Sequence, residues 1–241
     1  MNIILLKQQD FIHDSNTALI SDYRLTHILK ILNPSIGQSL KVGLVGGSCG
    51  YGIVECVDTQ VVKLKVILNE NAPSRHKFDI VLALPRPKML RRILRTIAEY
   101  GVENLHLVNS ARVEKSYWQS PLLQPEKIDD ALMAGMERSK DTLMTNVHLH
   151  KRFRPFVEDQ LSHLCANRNC WITDMNAAKS AIELDIASTP AVVLIGPEGG
   201  FVPFEVELAT SKIARSIHLG RRVLSVDTAV TTVLAQALPS A

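Results

Sequence analysis

The chain is short of several things, and each shortage removes a class of protein. Its four cysteines, Cys49, Cys56, Cys165 and Cys170, include no C-x-x-C pair, so reduced structural thiols are expected in place of a disulfide framework or a zinc site. No metal centre is expected. No apolar run approaches the roughly 20 residues that a membrane span needs, and Met1 to Leu6 lacks the length and the cationic start of a secretory signal. A cytoplasmic protein without membrane contact follows. There is no G-x-x-x-x-G-K-[ST] phosphate loop, and no G-x-G-x-x-G follows the first strand of a sheet, which counts against nucleoside-triphosphate, nicotinamide and flavin enzymes. Internal repeats and low-complexity stretches are missing too. What is left, 241 residues with 46% hydrophobic and 21% charged content, suits one large or two modest soluble domains.

Net charge is only +3, but it is unevenly spread. Residues 1–69 hold six Lys/Arg against five Asp/Glu, whereas residues 75–95 hold seven against Asp79 alone. Local excesses of +1 and +6 leave −4 for the remainder. A basic patch confined to some twenty residues of a near-neutral chain is the pattern of a polyanion contact. A solvated helix face is the plainer alternative.

Residues 1–69 read as short strands, Asn2 to Leu6, Ser39 to Val45, Gly52 to Val57 and Val61 to Leu68, around one helix, Ser21 to Leu32. A small β-barrel fits that pattern. Polar, proline-containing Asn69 to Lys77 marks the domain boundary, which we place after residue 72. From Phe78 the rhythm becomes α/β, strand and helix in alternation, which predicts a parallel sheet. The strands are Asp79 to Leu84, Asn104 to Val108, Asn146 to His150, Cys170 to Thr173, the run from Ala191, and Ser216 to Leu219. Helices are predicted from Pro87, over Pro125 to Lys140, Phe153 to Asn167 and Pro203 to Arg215, and from Ser225 or Asp227. In the helix after Pro87, Leu90, Ile93, Leu94 and Ile97 share one face, leaving Lys88, Arg91, Arg92 and Arg95 to solvent. His13, His27, His76 and His106 are scattered and read as surface or packing residues.

Two strand-to-turn junctions organise the carboxyl-terminal part. AVVLIGPEGG (Ala191 to Gly200) is an uninterrupted apolar strand that stops in a glycine-rich turn, and LGRRVLSVDTAVTTVL (Leu219 to Leu234) repeats the plan. Glycines let the backbone approach a ligand closely, and ligands of open α/β sheets sit at the carboxyl ends of strands. The two turns are expected to wall one pocket. A tight turn alone explains one glycine, but not Gly-Pro-Glu-Gly-Gly.

The pairing of LIGPEGGF (Leu194 to Phe201) with LGRRVLSVDTA (Leu219 to Ala229) resembles the RsmE family, ribosomal RNA uridine methyltransferases of the SPOUT class. THILKIL, IGQSLKVGLVGG, IAEYGVENLHLVNSARVEKS and AGMERSKDTLMTNV extend the likeness over nearly the whole chain. The resemblance implies a PUA-like RNA-binding β-barrel over 1–72 and a SPOUT α/β-knot methyltransferase domain over 73–241 with a C-terminal trefoil knot. It also implies a homodimer and bound S-adenosyl-L-methionine. By position the cofactor is assigned to Leu194, Ile195, Gly196, Pro197, Glu198, Gly199 and Gly200 on one side, and to Leu219, Gly220, Val223, Leu224 and Ser225 on the other. Glu198 is read as fixing its loop. The reaction implied is methyl transfer to N3 of a uridine in small-subunit (16S) ribosomal RNA. Arg222 is the candidate stabiliser of a uracil anion, and Asp227 is either the base or a helix cap. Arg86, Lys88, Arg91, Arg92, Arg95 and, in the first domain, Lys30 are the candidate RNA contacts.

The chain departs from the family pattern at Ser225 and Asp227, where the family has arginine and glutamate, at Arg221 for a proline, and at Asn33 and Tyr100. Two other readings stay open: a divergent relative acting on another ribosomal or transfer RNA nucleoside, and a non-catalytic RNA-binding protein.

Overall fold

Alternating apolar residues between 39 and 66 build the first of two units. A computed structural model describes residues 2–13 and 15–238. Residues up to Pro73 with Met133–Met144 form one unit, and Ser74–Leu132 with the residues from Thr145 form the other.

In the first unit β1 (Ile4–Leu6), β2 (Thr17–Ile20), β3 (Ser39–Leu44), β4 (Cys49–Val57) and β5 (Val62–Glu70) form one curled sheet in the order β1-β3-β4-β5-β2. β1 runs parallel to β3 and the other neighbours are antiparallel. Leu40, Val42, Val54, Val62, Leu64 and Val66 point to a core that Leu25 and Ile28 complete. The helix expected over Ser21 to Leu32 is α1 (Tyr23–His27) followed by a π-helical turn, Ile28–Leu32. Asp22 caps it by accepting the Arg24 N–H at 3.1 Å. Arg24 is buried, yet its guanidinium reaches Leu5 O at 2.5 Å, Asp22 Oδ1 at 2.8 Å and both Asp10 carboxylate oxygens. A buried cation is tolerated only with such partners. Met133–Met144 lies beyond the boundary read from the sequence but folds with this unit. The Asn2 N–H donates to Glu137 O at 2.7 Å and the Gly46 N–H to Thr142 O at 2.8 Å.

The second unit is a six-stranded parallel sheet of β6 (Phe78–Ala83), β7 (Asn104–Val108), β8 (Asn146–His150), β9 (Asn169–Thr173), β10 (Ala191–Ile195) and β11 (Arg215–Ile217). Its order is β11-β9-β10-β6-β7-β8. Every residue of β6 and β10 is buried, as the continuous apolar runs require of central parallel strands. α2 (Pro87–Glu99) buries Leu90, Ile93, Leu94 and Ile97 as predicted. α3 (Pro125–Ser139) precedes β8. The helix expected over Phe153 to Asn167 is interrupted: α4 (Phe153–Pro155), a π-helical turn at Phe156–Gln160, then α5 (Leu161–Leu164). α6 (Pro203–Lys212) is shorter than expected because Arg215 joins β11. α7 (Val226–Ala235) packs against α2 and β10. Its end is fastened where the buried His76 Nε2 meets Leu234 O at 2.9 Å, with His76 Nδ1 accepting the Phe78 N–H at 3.0 Å.

All four cysteines are free, and Cys56 alone is exposed. Among the described residues no helix is long and apolar enough to cross a membrane, and no group of three or more His, Cys, Asp or Glu side chains is placed to hold a metal ion.

Candidate functional site

Because all six strands of the second sheet are parallel, their carboxyl ends share one edge. There β9, β10 and β11 give way to three loops that enclose a cleft of about 290 Å³. Its walls are Thr173 to Asn176 after β9, Ile195 to Phe201 after β10, and His218 with Leu219 and Arg222 to Leu224 after β11. Val226 and Ala229 of α7 and Arg112 from the loop after β7 also line it. A larger hollow of about 570 Å³ lies between α7 and residues 181–187. Among the described residues no glycine turn and no cation lines that hollow, so the cleft is the candidate site.

The glycine turn is held from several sides. Gly200 sits at φ +72°, in the left-handed region that side chains avoid, and its N–H is spent on Pro197 O at 2.8 Å. That N–H is therefore closed to a ligand, and the turn leaves the N–H groups of Gly196 and Gly199. Gly199 has its own reason to lack a side chain: a Cβ there would stand 2.9 Å from Arg112 Cδ. The Arg112 guanidinium donates to the Gly199 carbonyl. Beneath the turn, Glu205 of α6 is buried and accepts the Val202 N–H at 3.0 Å and the Ala111 N–H at 2.8 Å. One carboxylate thus binds the loop after β7 to the loop after β10. The Thr173 hydroxyl donates to Leu194 O at 3.1 Å, and the Gly220 N–H to His218 Nδ1 at 3.1 Å.

Of the residues expected to hold a cofactor, Ile195 to Gly200, Leu219, Val223 and Leu224 line the cleft, as does Arg222. Leu194, Gly220 and Ser225 do not line it: Leu194 is fully buried in β10, and Ser225 is exposed at the N-cap position of α7. Asp227 therefore stands in the first turn of that helix and is not its N-cap. It is absent from the cleft lining as well. Its carboxylate accepts from the Ser225 hydroxyl at 2.6 Å and pairs with Arg92 Nη2 at 2.9 Å. The Ser225 hydroxyl, and then Arg92, hold its pKa below the usual carboxylate value. Glu198 faces Arg86 Nε across 3.7 Å.

Arg86, at the N-cap of α2, and Lys88, Arg91 and Arg92 on it are exposed, while Arg95 is half-buried and its Nε is enclosed without a hydrogen-bond partner among the described residues. Lys30 is exposed in the first unit. Sequence reading missed Arg112, the Thr173 to Asn176 wall, Phe201, Glu205 and His218. The wall could have been found as a third strand end on the same edge. Arg112 could not, since only the fold brings it to residue 199.

A parallel sheet that carries its cleft outside the carboxyl ends of adjacent strands, where strand order reverses, is an open α/β ligand-binding domain. The chain belongs to the RNA methyltransferase domain family, whose sequence profile matches residues 72–238. It is 28% identical over 245 residues to ribosomal RNA small subunit methyltransferase E of Treponema pallidum, covering 100% of this chain and 92% of that one. It is 22% identical to ribosomal RNA small subunit methyltransferase E 1 of Borreliella burgdorferi, over 95% of this chain and 94% of that one. In fold it is similar to the solved ribosomal RNA small subunit methyltransferase E from Neisseria gonorrhoeae bound to S-adenosyl methionine. The TM-score is 0.77 at 16% identity, over 98% of this chain and 95% of that one.

Proposed function

We propose that the protein transfers a methyl group from S-adenosyl-L-methionine to N3 of a uridine in small-subunit ribosomal RNA, in the cytoplasm and as a homodimer. In this reading residues 1–72 are a PUA-like barrel that binds RNA, and 73–241 a SPOUT domain whose C-terminal part forms a trefoil knot. The observation that carries the reading is one cleft walled by both glycine-containing turns, Ile195 to Gly200 and Leu219 to Leu224, in a chain of the RNA methyltransferase family. The names of its relatives, small-subunit RNA methyltransferases, support the substrate.

The residues present fit such a cofactor. The unencumbered N–H groups of Gly196 and Gly199 suit the acceptors of a nucleoside, Ile195, Leu219 and Leu224 offer apolar walls for its base, and the rim is polar at Asp174 and Asn176. When bound, the cofactor supplies an electrophilic methyl group on a sulfonium. Arg222, a permanent cation in the wall, holds the uracil oxygens and stabilises the negative charge that grows there as the N3 proton passes to solvent water. Asp227 is absent from the cleft lining and its carboxylate is held by the Ser225 hydroxyl and Arg92, so it serves this reaction by fixing the start of α7 and the position of Arg92.

The test is calorimetric titration of S-adenosylmethionine into the purified protein, followed by nucleoside mapping of 16S ribosomal RNA from a deletion strain. Binding, together with one uridine lacking its N3 methyl group in the strain, is the expected result. Absence of both would overturn the proposal.

A further inference from the structure

The run HLHKRFR (148–154) crosses from the end of β8 into α4 and places three cations, Lys151, Arg152 and Arg154, in four residues. All three are exposed. The fold brings this run to the cleft through contacts of different kinds. The Asn109 N–H donates to His150 O at 2.9 Å, extending the β7–β8 ladder one step, so Asn109 to Arg112 and Lys151 to Arg152 leave the sheet side by side. Phe153, buried between the two arginines, packs its ring 5.5 Å from that of Phe201, which closes the glycine turn. Arg112, in the neighbouring loop, donates to the Gly199 carbonyl and lines the cleft.

We propose that Lys151, Arg152 and Arg112 form a cationic ridge along the carboxyl ends of β7 and β8, and that it binds the phosphates of an RNA strand leading to the cleft. The inference rests on the methyltransferase reading above and adds a route for the substrate. Lys151 and Arg152 make no ion pair among the described residues, so both charges are available. Arg154 is already paired with Glu158 at 2.9 Å and is left out of the ridge. The anchoring of Phe153 on Phe201 sets the ridge at a fixed place beside the turn. β8 is three strands from β10, a span of about 14 Å at ~4.8 Å per strand. Backbone phosphates flanking a base held in the cleft are what such a ridge would meet. Contacts of this kind position a strand without reading its sequence.

The test uses the full-length protein and a short fluorescein-labelled single-stranded RNA of mixed sequence, with binding followed by anisotropy at rising salt. Each phosphate contact to a single strand contributes about −0.7 to the slope of log K against log salt, so a Lys151→Gln/Arg152→Gln double variant should flatten it by about 1.4. Arg154→Gln should leave the slope where it was, and S-adenosylmethionine binding by calorimetry should be unchanged in both. A double variant with the wild-type slope overturns the ridge while leaving the methyltransferase reading intact. A double variant that keeps its RNA slope but loses binding to polyglutamate assigns the patch to an acidic protein and also overturns it. A wild-type protein that takes up S-adenosylmethionine but no RNA at low salt removes ridge and RNA substrate together.

Discussion

Arg92 Nη2 lies 2.9 Å from Asp227 Oδ2, so a residue of the first helix of the second unit holds the first turn of its last. Arg92 is 70% exposed and Asp227 19%. A pair open to solvent on one side contributes about 0.2–1 kcal/mol. Arg92→Ala should therefore cost less than about 1 kcal/mol in urea unfolding. Asp227→Ala should cost more, because the Ser225 hydroxyl and the Thr228 N–H lose their acceptor as well. Equal losses would mean that the pair, and not the helix start, is what Asp227 supports.

Glycines 199 and 200 should respond differently to the same substitution. Valine at 200 must take a φ of +72°, costing roughly 1–2 kcal/mol and distorting the turn. Valine at 199 meets Arg112 Cδ, the flexible part of a long side chain that can swing away. Calorimetry should show S-adenosylmethionine binding weakened by about tenfold or more in Gly200→Val, since ~1.4 kcal/mol is a factor of ten, and by less in Gly199→Val. The reverse order would mean that a side chain at 199 blocks the cleft directly and that the turn tolerates the strain at 200.

Arg222→Ala should lower kcat by about 10²–10³, the usual cost of removing one donor aimed at a developing oxyanion, with circular dichroism and cofactor affinity little changed. Tritium transfer from S-adenosylmethionine to ribosomal RNA measures the first. Retained turnover would remove Arg222 from the reaction.

Histidines make the second unit acid-sensitive. His106 is buried, with Nδ1 3.0 Å from His150 Nε2 and its ring stacked on that of His148. Burial, then the neighbouring His148 and His150, depress its pKa from 6.5 to about 3. Burial depresses His76 and His150 as well. A lowered folded pKa means the unfolded chain binds more protons below pH 6.5. Stability is complete above that value and falls as pH drops towards 3, by up to roughly 1.4 kcal/mol per pH unit for His106 alone. Urea midpoints between pH 7 and 4 should fall, and His106→Leu should fall less steeply. Parallel slopes would place the proton uptake elsewhere.

The parts of this fold that were legible in the sequence are those set by local pattern. Asn104–Val108 and Asn146–His150 were read to the residue because polar or turn residues bound each run. The basic face of α2 follows from helical spacing alone. β2 was missed because Thr17–Ile20 is four residues whose strand character comes from pairing with β5. The break in the helix after Phe153 was hidden because a π turn keeps Phe156, Val157 and Leu161 buried as an unbroken helix would. The glycine turns announced the site through composition. Arg112 and Glu205 gave no such signal, since their partners lie 87 and 94 positions away.

The hydrogen bond between Leu234 and His76 sets an order in time. His76 precedes the first strand of the second unit and Leu234 lies near the end of its last helix, 158 positions later. During synthesis β6, β7 and β8 emerge with their own helices long before the walls at 173–176, 195–201 and 218–224 exist. A nascent chain at that stage has half of its sheet and no cleft. Ligand affinity therefore arrives late and together with the final closure, so a bound ligand reports that synthesis of this unit has been completed.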